Sequence, residues 1–533
     1  MPKADQASFM RGAVILTMAA VIVKILSAVY RVPFQNIVGD VGFYIYQQVY
    51  PLYGMAVALS TYGFPVIISK LIAEHEGNDW YIQRLVRLSF IITSAIGAGL
   101  FAAIYWGASS IAGLMGDPSL APLIQITAFS YLLMPLLTVW RGTFQGKGNM
   151  VPTAVSQTVE QSVRVGAILL CSFLIIEMGY SLYGAGAAAF AGSLAGSVAG
   201  AIVLYVCMRK RHAKLTVGSR VRAPLHKKEA RILLVQGAAI CISSMTLVLL
   251  QLVDSLNLYS GLIQAGADEL AAKTAKGVYD RGQPLVQLGT VAAASLALTL
   301  VPLVTSAHRK GKKLELRRAV RLALKVSFTL GLAAAVGLIN IMDAVNVMLF
   351  ESSEGSAVLS VFCFSILFSS IILTLSGILQ GLDKEFLPVF AAAAAVMGKY
   401  IGNVVLVPLY GTAGASFSTM IALGGAAVML IISIRTCLNI RLIDWMFIGR
   451  ATVAVACMTA VLQLWRRGAE HFLFSGEGSR AQMTVIAVSS VVIGASVFIC
   501  ALLKAGLFTN EELRQIPLGD KLQQIKDKIS KKK

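Results

Sequence analysis

The chain has 533 residues, 57% of them hydrophobic and only 14% charged, with a mean hydropathy of +0.75. An ordinary soluble domain carries about 25% charged residues, and a water-facing surface of this composition would expose aggregating apolar patches, so a soluble protein is excluded. The net charge of +20 sits in short segments that flank apolar runs, the pattern of cytoplasmic membrane loops rather than of a nucleic-acid-binding patch.

A helix needs about 20 residues to cross roughly 30 Å of hydrocarbon. On that rule about fourteen spans are predicted, near 12–38, 47–72, 86–110, 121–146, 152–177, 183–207, 230–256, 283–307, 319–345, 356–381, 386–408, 411–436, 447–465 and 483–505. The run from Ala13 to Val38 is too long for a cleaved signal peptide and reads as the first span. Span two and its approach are aromatic (Phe43, Tyr44, Tyr46, Tyr50, Tyr53, Tyr62), which suits either an interfacial belt or a path for sugars. Placing the N-terminus inside puts most loop Lys and Arg on the cytoplasmic side: Arg84 and Arg87, Lys147, the cluster from Arg209 to Lys228, that from Arg309 to Arg318, Arg441, and Lys521 to Lys533. The outer connections near Val41, Gly116 and Glu351 hold Asp or Glu and no basic residue. Both termini are therefore expected in the cytoplasm.

Seven scattered cysteines form no C-x-x-C pair, and five histidines lie in polar connections without ligand spacing, so no metal or cofactor is expected.

An internal repeat is legible. Gly142-Thr-Phe-Gln145-Gly146 before Pro152 matches Gly377-Ile-Leu-Gln380-Gly381 before Pro388. Phe64-Pro65 matches Val301-Pro302, and Leu182-Tyr183-Gly184 matches Leu409-Tyr410-Gly411. Six spans per copy is an even number, so the copies are parallel repeats of the kind that build transporters. The expected organisation is an N-lobe over 1–207, a basic cytoplasmic linker over 208–229, a C-lobe over 230–440, two appended spans over 441–507 and a basic tail over 508–533. The repeat glycines are expected to permit close helix contacts.

Ionisable residues inside spans cost several kcal/mol and mark function by default. Lys24 and Arg31 fall in span one, Glu160 and Arg164 in span five, Asp254 in span seven, Lys399 in span eleven, and Asp280-Arg281 opens span eight. Glu160 and Arg164, four apart, share a helix face on which they can pair. The surplus of base over acid favours an anionic substrate, since guanidinium grips phosphate bidentately.

Several segments together resemble a known family: Lys24-Ile-Leu-Ser-Ala-Val-Tyr-Arg31-Val-Pro-Phe, Gly63-Phe-Pro-Val-Ile-Ile-Ser-Lys, Arg141-Gly-Thr-Phe-Gln-Gly with Glu160-Gln and Arg164, and Tyr279-Asp-Arg281-Gly-Gln-Pro-Leu. They look like bacterial polysaccharide transporters of the multidrug/oligosaccharidyl-lipid/polysaccharide exporter superfamily, among them the stage V sporulation protein B and MurJ-type flippase groups. The resemblance implies an all-α membrane fold of two six-helix lobes around a cavity, plus two helices for a lipid tail. It implies flipping of a lipid-linked oligosaccharide, of undecaprenyl-pyrophosphate type, across the plasma membrane. Arg281, Lys24, Arg31 and Arg164 would hold the phosphates, and Asp254 or Glu160 would couple the cycle to an ion. Tyr30 stands where the MurJ-type groups carry a further arginine, and their span-two arginine pair is absent.

The expected partners are thus a lipid-linked sugar and membrane lipids, without nucleic acid, for a chain acting as a monomer. The alternative is a proton- or sodium-coupled multidrug or cation antiporter of the same superfamily. A membrane-embedded glycosyltransferase would need catalytic residues in a large outer loop. The longest expected here, 257–282, holds Asp268, Glu269 and Asp280 and no histidine, so the chain is not expected to be an enzyme.

Overall fold

A computed structural model describes residues 3–210, 227–440, 442, 444–472, 479–516 and 519–530. The described residues form helices and no strand, as hydrocarbon demands of a chain that must satisfy its own backbone groups. In chain order the first part holds α1 (Lys3–Val29), α2 (Arg31–Ala58), a π-helical stretch (Leu59–Gly63), α3 (Phe64–Glu74), α4 (Asp79–Trp106), α5 (Ala108–Leu114), α6 (Ala121–Gly146), α7 (Val151–Glu177) and α8 (Leu182–Lys210). There follow α9 (Lys227–Ser244), α10 (Thr246–Gln264), α11 (Glu269–Asp280), α12 (Gly282–Leu298), α13 (Val301–Arg309), α14 (Lys313–Asn340), α15 (Met342–Phe350), α16 (Ser356–Cys363) and α17 (Ser365–Gly381). The chain ends with α18 (Phe386–Leu438), α19 (Trp445–Phe472), α20 (Arg480–Lys504), α21 (Asn510–Gln515) and α22 (Gly519–Ser530).

Twelve helical runs among the described residues are long and apolar enough to cross a membrane. Two of them, Met18–Glu74 with 57 residues and Phe386–Leu438 with 53, would extend about 80–85 Å at 1.5 Å per residue, more than twice the hydrocarbon thickness. Each is broken at a glycine in a conformation that only glycine adopts comfortably: Gly39 (φ 69°, ψ −176°) and Gly411 (φ 56°, ψ −136°). Counting two crossings for each of these two broken runs brings the twelve to about fourteen.

Two boundaries differ from the sequence reading. The expected outer loop over 257–282 is largely helical: α10 continues to Gln264, and α11 occupies Glu269–Asp280. Its polar residues conceal this, because Lys273, Lys276 and Asp280 are buried rather than solvated. Span eight accordingly begins some fourteen residues early and is interrupted at Arg281. The basic residues expected at 211–226, Arg441 and 531–533 lie outside the described residues.

The chain divides into two compact units, one of Met1–Asp280 with Asn403–Gly411 and one of Arg281–Gly402 with Thr412–Lys533. The repeat glycines perform the same task in each. A Cβ on Gly146 of α6, the counterpart of Gly381, would lie 2.6 Å from the Cβ of Ile72 on α3. A Cβ on Gly381 of α17 would lie 2.6 Å from Thr305 Oγ1 on α13, just after Pro302. Close helix contact is therefore what the repeated glycines secure. In the second unit, α19 is tied to the α14–α15 corner by Asn340, which donates to Thr459 at 3.1 Å and accepts from Gln463 at 2.9 Å, and by the Arg466–Asp343 pair at 2.9 Å.

Candidate functional site

Tyr46, Tyr50 and Tyr53 stand at i, i+4 and i+7 on α2, so their rings share one helix face. Two arginines are set against that face. Arg31 opens α2 and lies 4.3 Å from the Tyr50 ring centroid. Arg164 of α7 lies 4.5 Å from Tyr53, 5.4 Å from Tyr30 and 5.7 Å from Tyr50. Arg164 Nη2 also donates to Tyr30 Oη at 3.0 Å and Tyr46 Oη at 3.2 Å, and the two hydroxyls are 2.8 Å apart. Lys24, two helical turns before Arg31, lies 5.7 Å over the ring of Tyr62. The structure thus brings Arg31 and Arg164 to a shared ring and places Lys24 farther along the same pair of spans.

Arg31 is 1% and Arg164 3% exposed. A buried ion costs several kcal/mol of desolvation, and a cation–π contact returns only about 0.5–2 kcal/mol. Arg31 also hydrogen-bonds Tyr30, and Arg164 hydrogen-bonds Tyr50 and Gln161, yet not every donor is met. Among the described residues Arg31 Nε and Nη1, and Arg164 Nε, have no hydrogen-bond partner. Buried N–H donors without acceptors are rare. A cluster of them on two cations is suited to an anion with several oxygens, such as a phosphate or diphosphate.

The expected Glu160–Arg164 pairing is not what forms. Glu160 pairs with Arg141 of α6 and accepts from Ser197 at 3.1 Å, while Arg141 also donates to Ser156 at 3.0 Å and Thr61 at 3.1 Å. Helix spacing made Glu160 and Arg164 neighbours, but the carboxylate reaches across to another helix. Glu160 is thereby held in a closed ion pair, and Arg164 keeps only neutral partners.

Asp254 of α10, 1% exposed, accepts from Tyr279 at 3.1 Å and from Asn403 at 3.0 Å. Asn403 also donates to Asn257 at 2.8 Å, and Gln48 donates to the Ser255 carbonyl at 3.1 Å. Among the described residues the buried oxygens Asn403 Oδ1, Gln48 Oε1 and Ser255 Oγ have no hydrogen-bond partner, against one unpartnered donor, Asn257 Nδ2. Oxygens in surplus around a carboxylate suit a hard cation.

Another cluster escaped the sequence reading. Asp117 accepts from Tyr183 at 2.6 Å and from Tyr44 at 3.3 Å and faces Lys273 of α11 at 3.6 Å. One turn on, Lys276 pairs with Asp280 at 2.7 Å. Gly277, between them, packs so closely that a Cβ there would lie 2.1 Å from the Asp40 carbonyl oxygen.

In the second unit Arg281, 2% exposed, stands at the break between α11 and α12, where Nη1 lies 3.5 Å from Asn346 Oδ1 and the guanidinium 5.4 Å from the Phe350 centroid. Lys399 donates to Thr419 at 2.7 Å.

A family model described as polysaccharide biosynthesis protein matches residues 9–308, more than half of the chain. The chain belongs to this family. Among relatives of the polysaccharide biosynthesis family, it is 43% identical over 516 residues to the membrane protein YabM of Bacillus subtilis (strain 168), covering 96% of this chain and 95% of that one. It is 26% identical to the lipid II flippase MurJ of the same organism, over 95% and 97% of the two chains. The fold is shared with a solved structure of the lipid II flippase MurJ in an inward closed conformation, at a TM-score of 0.67 and 16% identity over 92% of this chain and 98% of that one. The family thus carries the expected multi-pass, all-helical architecture of the polysaccharide exporters.

Proposed function

We propose that the protein is a flippase that moves a lipid-linked oligosaccharide, carried on a polyprenyl diphosphate such as undecaprenyl pyrophosphate, across the plasma membrane. The observation that carries this reading is the pair of buried arginines in which Arg31 Nε and Nη1 and Arg164 Nε lack acceptors among the described residues. A diphosphate supplies the missing oxygens and charge. Lys24 on the same spans would add positive charge along the route, Arg281 would serve as a further phosphate contact, and the substrate would be exposed alternately to the two sides of the membrane. The relative named as a lipid II flippase supports transport without chemistry.

The test is transport of fluorescent lipid-linked sugars into proteoliposomes of the purified chain. Protein-dependent flipping of the diphosphate-linked lipid is expected. Efflux of organic cations, with no movement of any diphosphate lipid, would favour the antiporter instead.

Coupling would lie at Asp254 rather than Glu160, whose carboxylate is engaged by Arg141. The unpartnered oxygens of Asn403, Gln48 and Ser255 make the Asp254 cluster the better seat for a proton or sodium ion. Asp254→Asn should remove the dependence of transport on the ion gradient and lower the driven rate at least about tenfold, the loss of one charge-assisted contact. An unchanged gradient dependence in that variant would exclude the role.

A further inference from the structure

Proton counting at the arginine site singles out two groups with no assigned role, the hydroxyls of Tyr30 and Tyr46. Both are buried, at 2% and 0% exposure. Arg164 Nη2 has two hydrogens, and its two short contacts, 3.0 and 3.2 Å, direct one to each hydroxyl oxygen. The hydroxyls are 2.8 Å apart, a distance at which one donates to the other. A tyrosine hydroxyl has one hydrogen, so only one of the two protons is used in that contact. The other hydroxyl keeps an O–H with no further acceptor among the described residues. That spare donor stands in the same cluster as the unpartnered Arg164 Nε, with Arg31 Nε and Nη1 beyond the shared Tyr50 ring.

We infer that Tyr30 and Tyr46 act as one unit that fixes Arg164 and delivers a single hydroxyl donor to the bound anion. Tyr46 is a positioning residue as well as half of that donor pair. Its ring stacks on Phe190 at 4.9 Å and meets Phe34 at 4.8 Å, so the oxygen is placed by packing rather than by the ligand. This inference rests on the reading of the arginine cluster as an anion site and adds the groups that set its geometry.

Either hydroxyl can serve when the other is absent. If Tyr46 becomes phenylalanine, the Tyr30 oxygen still accepts from Arg164 and its proton is released from the hydroxyl pair toward the anion. The same holds with the residues exchanged. Only removal of both leaves the anion without an O–H and Arg164 without either anchor. The effects must therefore be non-additive.

The experiment measures binding of inorganic pyrophosphate to the purified full chain for wild type, Tyr30→Phe, Tyr46→Phe and the double variant, with melting temperatures recorded without ligand. Each single change should weaken binding by about threefold, and the double by about a hundredfold, because charge-assisted hydrogen bonds are worth about one to two decades each. Phenylalanine keeps the rings, so each single variant, in which Arg164 retains one hydroxyl acceptor, should melt close to wild type, and the double should still fold but melt lower because Arg164 Nη2 loses both acceptors. Single effects that simply multiply to the double, or a double variant that binds like wild type, would overturn the hydroxyl-pair inference while leaving the anion site standing. Wild type that binds no pyrophosphate would overturn both.

Discussion

Replacing Arg31 by leucine should abolish transport of a diphosphate-linked lipid while leaving the melting temperature unchanged or higher. The two outcomes have one cause. Arg31 is buried with Nε and Nη1 unpartnered, so in the empty protein it bears a desolvation cost that the Tyr50 ring offsets only in part. A bound diphosphate turns those donors into charge-assisted hydrogen bonds worth about 1.5–3 kcal/mol each. Losing two of them removes a factor of about 100 or more in affinity. Lysine at the same place keeps the charge without the planar fork, and about a tenfold loss is expected. Stability and function then move in opposite directions, the mark of a residue kept for binding. A variant that transports normally, or one that loses transport only by unfolding, would show that Arg31 is a packing residue.

The second large effect is on stability. Glu160→Ala leaves Arg141, fully buried between α6 and α7, without its carboxylate. Breaking one side of a buried ion pair costs about 3–5 kcal/mol, whereas replacing both partners by apolar groups of similar volume is often neutral. A sharply lowered melting temperature in detergent is expected for Glu160→Ala, with recovery to near the wild-type value in Arg141→Met/Glu160→Leu. Equal melting of the single variant and wild type would mean that Arg141 has another counter-charge.

Much of this was legible in the residues. Length and hydropathy determined the spans, because a bilayer accepts little but helices of fixed length. The repeat was legible because the counterparts Gly146 and Gly381 each lie close against a neighbouring helix, where a Cβ would come within 2.6 Å of Ile72 or Thr305. Less visible was α11, whose Lys273, Lys276 and Asp280 resemble a solvated loop until their partners are seen. The pairing of Glu160 was misread for a related reason. Spacing along one helix reveals Arg164 as a neighbour, but nothing in a single sequence shows that α6 brings Arg141 closer. The tyrosine stripe was visible as i, i+4, i+7 on α2, while the hydroxyl pair was not, since Tyr30 comes from a different span.

The buried charges of α11 differ in how they are neutralised. Lys273 is shared between Glu269, one turn back on its own helix at 2.6 Å, and Asp117 across helices at 3.6 Å, whereas Lys276 pairs with Asp280 one turn on. Both lysines thus have a carboxylate one turn away on α11 itself. Because Gly277 alone allows the backbone to rest on Asp40, α11 is held there by shape at a point where its own charge is already balanced. Separating the two surfaces at that point breaks the Lys273–Asp117 contact but leaves each lysine a carboxylate on its own helix, so that no lone cation is exposed to the hydrocarbon.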